Sequence, residues 1–229
     1  LTKADWKTDP AILLHLCRLG IPTGLQMSMI TLGGMVLQSV LNGFGVVFVA
    51  GYTAANKLYG ILESASVAFG YAMTAYMGQN RGARNAARID AGIRAVLVLS
   101  AEFTAAIVTA MLVAGKPLLG LFLSTEEAGA ADALAVAYQY LMVLMAFLFA
   151  LFMLQAYRSS LQGLGEMTVP TLSGFAEMLM RMGAALVLPT FIGQSGVFFA
   201  EGAAWVCAAA LNLVWYYMRI GKIKREMMQ

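Results

Sequence analysis

The sequence predicts an all-α membrane protein, one bundle of six transmembrane helices with both termini on the cytoplasmic side. Three observations predict it. Of 229 residues, 60% are hydrophobic and 12% are charged, against about half apolar and roughly 25% charged in a soluble domain. Mean hydropathy is +0.75. Six apolar runs are each long enough to cross the hydrocarbon layer, which takes ~20 residues at 1.5 Å rise. A globular core of this size cannot hide so much apolar surface.

The same arithmetic excludes other classes. Net charge is only +3, so high charge and low hydropathy, the signature of disorder, are absent. The 15 basic residues lie between apolar runs and form no single patch, which argues against a nucleic-acid partner. Cys17 and Cys207 sit in apolar stretches, so no disulfide framework is read. His15 is the lone histidine and builds no metal site. There is no phosphate-binding Gly-rich loop, paired-histidine helix motif or G-x-S-x-G elbow. The chain is therefore not expected to be an enzyme or to carry a cofactor. The opening LTKADWKTDP is polar and charged and does not read as a cleavable signal peptide.

The helices follow in order over 12–41, 46–78, 89–115, 133–160, 168–191 and 196–218. Long apolar runs favour helices over barrel strands, whose pattern alternates in short dyads. Asn42-Gly43-Phe44-Gly45 closes the first, and GQNRGARNAAR at 78–88 closes the second, with room for a short interfacial helix. Lys116-Pro117 ends the third, and the Ser124-Thr125-Glu126-Glu127 stretch belongs to the loop after it. Gly163-Leu164-Gly165-Glu166 ends the fourth, and Pro170 stands where the fifth begins, its missing N–H harmless there. Gly193-Gln194-Ser195-Gly196 separates the last two. The expected organisation is a cytoplasmic segment over 1–11, the bundle over 12–218 and a basic cytoplasmic tail over 219–229.

Orientation follows from the placement of Lys and Arg. Lys3, Lys7 and Arg18, then Arg81, Arg84, Arg88 and Arg94, then Arg158, then Arg219, Lys222, Lys224 and Arg225 fall on one side if six helices alternate. The opposite loops hold Lys116 with Glu126, Glu127 and Asp132.

Charges inside the hydrocarbon are costly and point to function or to pairing. Lys57, Glu63, Glu102, Glu177, Arg181 and Glu201 are the six. Glu177 and Arg181 are spaced i,i+4 and share a helix face, so they read as a structural ion pair. Glu201 reads as mostly structural, near the outer interface where a long side chain can reach water. Glu63 lies deep in helix two, with Lys57 nearly two turns earlier and only loosely aligned. A carboxylate left unpaired there can take up and release a proton, so Glu63, Lys57 and Glu102 are the candidates for ion coupling or gating. The sequence equally allows Glu63 to be satisfied by Lys57 or by a neighbouring helix.

Two polar stripes occur on consecutive helices. Ser28, Thr31, Gln38 and Asn42 follow the helical rhythm through Met35, and Asn56, Tyr59, Glu63, Ser66, Gly70 and Thr74 answer on helix two. Ser28, Thr31, Gln38, Asn42, Asn56 and Tyr59 are the candidate cleft-lining residues; interhelical hydrogen bonding is the plainer account. Sixteen methionines suit an adaptable surface, or serve as apolar filler. Gly20 and Gly24 have the spacing that lets helices approach closely.

Several stretches together resemble the multidrug and toxic-compound extrusion (MATE) family of secondary transporters. RLGIPTGLQMSM is similar to the family's Gly-x-Pro-x-Gly-x-Gln entry to helix seven. VAGYTAANKLYGILES and AFGYAMTAYMGQNRGARN resemble the long second helix of its C-terminal bundle and the Gly-Gln-Asn-x-Gly-Ala turn. GFAEMLMRMGAAL resembles the Glu-x-x-x-Arg signature of helix eleven, and FAEGAAWVCAAALNLVWYYMR the aromatic last helix. The resemblance implies twelve helices in two six-helix bundles around a central cleft, exchanging protons or sodium for cationic amphipathic drugs. This chain resembles the C-terminal bundle only. Some sodium-coupled members carry acidic ligands on the first and fourth helices of that bundle. Here those helices hold Gln26, Gln38, Gln139 and Gln155.

The function expected is half of a proton- or sodium-coupled antiporter in the bacterial cytoplasmic membrane. Its partners would be membrane lipid, small cationic substrates and a second six-helix bundle, either an N-terminal half or another copy of the chain. A flippase for lipid-linked oligosaccharides and a non-transporting membrane scaffold are the alternatives.

Overall fold

The computed structural model describes residues 9–123 and 129–228. Lys3, Lys7 and the acidic 124–127 stretch lie outside the described residues. Six α-helices occur among the described residues: α1 (Pro10–Asn42), α2 (Val46–Gly82), α3 (Ala86–Gly120), α4 (Ala130–Gly163), α5 (Thr168–Ile192) and α6 (Phe199–Met228). A short 3-10 turn, Gln194–Phe198, joins the last two.

Local chemistry fixes the helix ends. Asp9 caps α1 by accepting from the Ala11 N–H at 2.8 Å, with Pro10 first in the helix, which satisfies a donor no helical carbonyl can reach. Asn85 accepts from the Arg88 N–H at 3.1 Å and caps α3. Pro170 lies in the first turn of α5. Pro22 stands inside α1; its carbonyl accepts a bond from Thr171 of α5 at 3.3 Å. That bond ties α5 to α1 beside the proline.

α4 is the central helix. α2 and α3 lie against it on one side and α6 on the other, α5 packs on α6, and α1 packs on α5. α1 and α2 are consecutive in sequence but hardly touch. The gap between them opens the bundle along one seam. The α2–α4 seam is close because glycine faces backbone there. A Cβ at Gly163 would collide with the Thr74 carbonyl oxygen and stand 3.0 Å from Met77 Cβ. Phe48, Tyr52, Tyr140, Phe198 and Trp205 form the aromatic part of the larger core, with Tyr52 and Tyr140 stacked at 4.4 Å between ring centroids. The outer surface is apolar: Val46 is 86% exposed, Val113 80% and Phe191 79%. Such a surface requires lipid around it.

Five of the helical segments are long and apolar enough to cross a membrane; α2 is not among them. The expected six therefore include one that hydropathy alone does not support. The reason is composition, since α2 carries Asn56, Lys57, Glu63, Ser64 and Ser66 within its 37 residues.

The structure corrects four details. The 78–88 stretch holds no separate interfacial helix, because α2 runs to Gly82 and α3 starts at Ala86. α3 passes through Lys116-Pro117 to Gly120, the proline falling in the last turn and forgoing one backbone hydrogen bond. The 219–228 stretch continues α6, anchored by Arg219–Glu166 at 2.9 Å and by Lys224–Asp90. A Cβ added at Gly20 or Gly24 would meet nothing within 4 Å, so these glycines mediate no close approach among the described residues.

Candidate functional site

A cavity of about 390 Å³ lies at the seam between α1 and α2. Thr23, Gln26 and Ile30 line it from α1, Glu63 and Thr74 from α2, Gln155 and Arg158 from α4, and Glu177 and Arg181 from α5. It opens between Met27 and Tyr71, which are 55% and 73% exposed while also lining it. α1 comes close to α5 here because Gly174 has no side chain. A Cβ at that position would stand 2.6 Å from Gln26 Cγ.

One wall is a continuous chain of charges. Arg158 Nη2 donates to Glu177 Oε2 at 2.6 Å, and Arg181 Nη2 donates to Glu177 Oε1 at 3.0 Å. Arg181 also pairs with Glu201 at 2.8 Å, and its Nη1 donates to the Ile30 carbonyl at 3.0 Å. Four helices, α4, α5, α6 and α1, are thereby tied at one level. Arg158, Glu177 and Arg181 are all buried. Charges so far from water persist only when each is paired and hydrogen-bonded.

The anticipated Glu177–Arg181 contact is present within this larger chain. Sequence reasoning missed Arg158, which it assigned to the loop side, and placed Glu201 near the outer interface. Glu201 is instead a partner of Arg181, because the 3-10 turn before α6 folds inward and buries Gly196, Val197 and Phe198. A signal for Arg158 was present in the small residues after it. Ser159 and Ser160 are buried with it, the composition of a helix face that receives a neighbour closely.

Glu63 faces this wall from α2. It is half-buried and belongs to no ion pair among the described residues. Tyr59 lies one turn earlier, and Arg181 and Glu177 are within electrostatic reach. Lys57 is exposed and is not its partner: six residues turn a helix by about 240°, onto another face. Glu102 is exposed on α3 and lines no part of the cavity.

The α1 stripe lies outside the cavity. Ser28, Thr31, Gln38 and Asn42 are exposed. Ser28 and Thr31 donate to the Gly24 and Met27 carbonyls of their own helix at 2.9 and 3.0 Å, and Gln38 donates to Asn42 at 3.0 Å. Thr31 stands one turn beyond Met27, near the mouth. Asn56 is exposed on α2, whereas Tyr59 is buried and stacked on Trp205 with centroids 5.5 Å apart. Of the four glutamines, Gln26 and Gln155 line the cavity. Gln26 is fully buried and accepts from Gln162 at 3.0 Å.

Comparison with known proteins places this arrangement. The MatE family model matches residues 22–187. The chain is 30% identical over 226 residues to "Probable multidrug resistance protein YpnP" of Bacillus subtilis (strain 168), covering 96% of this chain and 47% of that protein. It is 26% identical over 223 residues to "Probable multidrug resistance protein YoeA" of the same organism, again over 96% and 47%. The fold is that of solved MATE structures. A crystal structure of MATE in complex with MaL6 superposes with a TM-score of 0.87 at 21% identity, over 98% of this chain and 50% of that one. A MOP superfamily transporter from Pyrococcus furiosus gives 0.87 at 22%, over the same shares. The chain thus spans about half the length of the relatives it matches. An integral membrane bundle and a family match over most of its length together establish that this chain belongs to the MatE family, one of transporters and not of enzymes.

Proposed function

We propose that this chain forms one bundle of a secondary transporter that expels cationic amphipathic compounds, with Glu63 as the group that alternates between a proton and the cationic guest. The observation that carries this reading is a charge imbalance. Two guanidinium groups, Arg158 and Arg181, stand with three carboxylates, and Glu177 and Glu201 already hold both arginines. Glu63 is the carboxylate left over. In a low-dielectric cavity one uncompensated negative charge favours either a bound cation or a proton. Binding of the two is then mutually exclusive, which is what exchange requires.

The rest of the cavity suits such a guest. Met27, Ile30, Val67, Leu151 and Trp205 supply apolar wall, and Trp and Met accept flat or irregular shapes. The exposed polar stripe of Ser28, Thr31, Gln38 and Asn42 provides the face toward a second six-helix bundle on this reading. The basic ends, Arg81 to Arg94 and Arg219 to Arg225, face the cytoplasm on this reading. A proton is favoured over sodium as the coupling ion, since Gln26 and Gln155 stand where a carboxylate cage would be needed. The flippase alternative loses support because the cavity is not basic: Lys57 lies on another face and both arginines are neutralised.

The test is Glu63→Gln in proteoliposomes holding the assembled two-bundle transporter, with efflux of a cationic dye driven by a pH gradient. Efflux is expected to fall about 10- to 100-fold, the worth of one charge-assisted contact, with loss of its pH dependence. Unchanged efflux with unchanged pH dependence would sink the assignment.

A further inference from the structure

A second cavity, about 510 Å³, lies away from the charge chain in the seam between α2 and α3. Ala68, Ala72 and Met73 form one wall, and Ala91, Ala95 and Leu99 the other. Its volume is in the range of small-molecule sites, yet its only side-chain polar group is the Tyr76 hydroxyl. That hydroxyl is engaged, donating to the Arg88 carbonyl at 2.9 Å. Gly92 makes room for the Tyr76 ring, since a Cβ there would come within 2.8 Å of the ring's Cδ1. Whatever fills this crevice is apolar along its length.

The ends of the crevice differ. Ala91 lies about 7.5 Å and Leu99 about 20 Å along the axis from the start of α3 at Ala86. The crevice therefore covers the depth of one leaflet, half of a ~30 Å hydrocarbon layer. Its shallow end is basic. Arg84 occupies the α2–α3 turn, and Arg88 precedes Gly92 by one helical turn on the same face. Arg94, six residues beyond Arg88, lies on another face of α3, one turn from Asp90. Arg84 and Arg88 are exposed and neither forms an ion pair among the described residues. Asp90, the acidic neighbour, is taken by Lys224.

We infer that the α2–α3 crevice is a specific site for an anionic phospholipid, one acyl chain lying along Ala72 and Ala95 and the phosphate held by Arg88. Charge complementarity and leaflet depth select this occupant. A transmembrane helix from another protein would not need an unpaired arginine at the crevice mouth, and a free phosphate would not need the apolar crevice. The site is independent of the transport reading above, and it would make α2, the helix bearing Glu63, sensitive to lipid charge.

The experiment is native mass spectrometry of the full chain, delipidated in detergent and titrated with phosphatidylglycerol or phosphatidylcholine of the same acyl composition. One phosphatidylglycerol is expected to be retained about five- to tenfold more tightly than phosphatidylcholine, roughly the worth of one arginine near a membrane surface. Arg88→Gln should bring the two lipids level. Ala72→Phe or Ala95→Leu, which fill the crevice and leave the arginines, should remove the retained lipid of either kind. Equal retention of the two lipids by the unaltered chain overturns the proposal. So does a preference that survives the crevice-filling variants, which would assign it to surface charge alone. Competition by glycerol phosphate, or a second protein chain displaced by Ala95→Leu, would overturn it in favour of those occupants.

Discussion

Glu177→Leu is expected to destabilise the bundle by roughly 3–5 kcal/mol, the cost of stranding buried charge. Glu177 is the shared acceptor of Arg158 and Arg181, so its removal leaves Arg158 with no carboxylate partner and Arg181 with Glu201 alone. The measurement is thermal unfolding in mild detergent, followed by loss of the monodisperse peak. The double variant Arg158→Met, Glu177→Leu removes one charge of each sign and leaves the Arg181–Glu201 pair. It should recover much of the loss, because a matched apolar replacement avoids the desolvation cost altogether. If Glu177→Leu stays within about 1 kcal/mol of the parent, the charge chain does not hold these helices, and the fixed wall opposite Glu63 is lost from the account.

Gly163→Leu is the second large effect. A side chain there meets the Thr74 carbonyl and stands 3.0 Å from both Thr74 Cα and Met77 Cβ. These are backbone or stem atoms, which cannot rotate aside. Overpacking of this kind costs about 1–3 kcal/mol when a core can yield, and a backbone contact puts Gly163→Leu at or above the upper end. Gly24→Ala is the control, since nothing lies within 4 Å of the added atom and alanine is the better helix former by about 0.5–1 kcal/mol. The two substitutions should move the unfolding midpoint in opposite directions. A parallel loss in both would mean that glycine acts through flexibility and not through the α2–α4 approach.

Both predictions rest on contacts between helices far apart in sequence, which shows where one-dimensional reading stopped. Local features were legible. Apolar runs and the Gly-rich breaks located the helices, because hydrophobicity and turn chemistry act within a few residues. The contact between Glu177 and Arg181 was legible for the same reason, one turn being a fixed distance. Lys57 and Glu63 were near in sequence too, yet helical rotation puts them on different faces. The candidate site was legible only in part. Glu63 and the Glu177–Arg181 contact were visible, but Arg158 pairs across 19 residues and Glu201 across 20. No periodicity reports such separations.

The α1 stripe shows the same limit. Its polarity argued in the sequence against a lipid-facing role, but polarity does not say which neighbour it faces. Gln26, outside the stripe, is the glutamine that α5 buries, through the missing side chain of Gly174.

By itself, then, the sequence determined that this chain lies in a membrane as a set of long helices, and that a few charges are buried among them. Composition and short-range periodicity suffice for that, since each helix satisfies its own backbone and partitions by its own side chains. Only the tertiary structure decided which charges cancel and that Glu63, of the cavity's carboxylates, forms no ion pair among the described residues. Pairing between helices depends on rotation, depth and close approach at particular glycines, and these are set by the assembled bundle and not by any one segment.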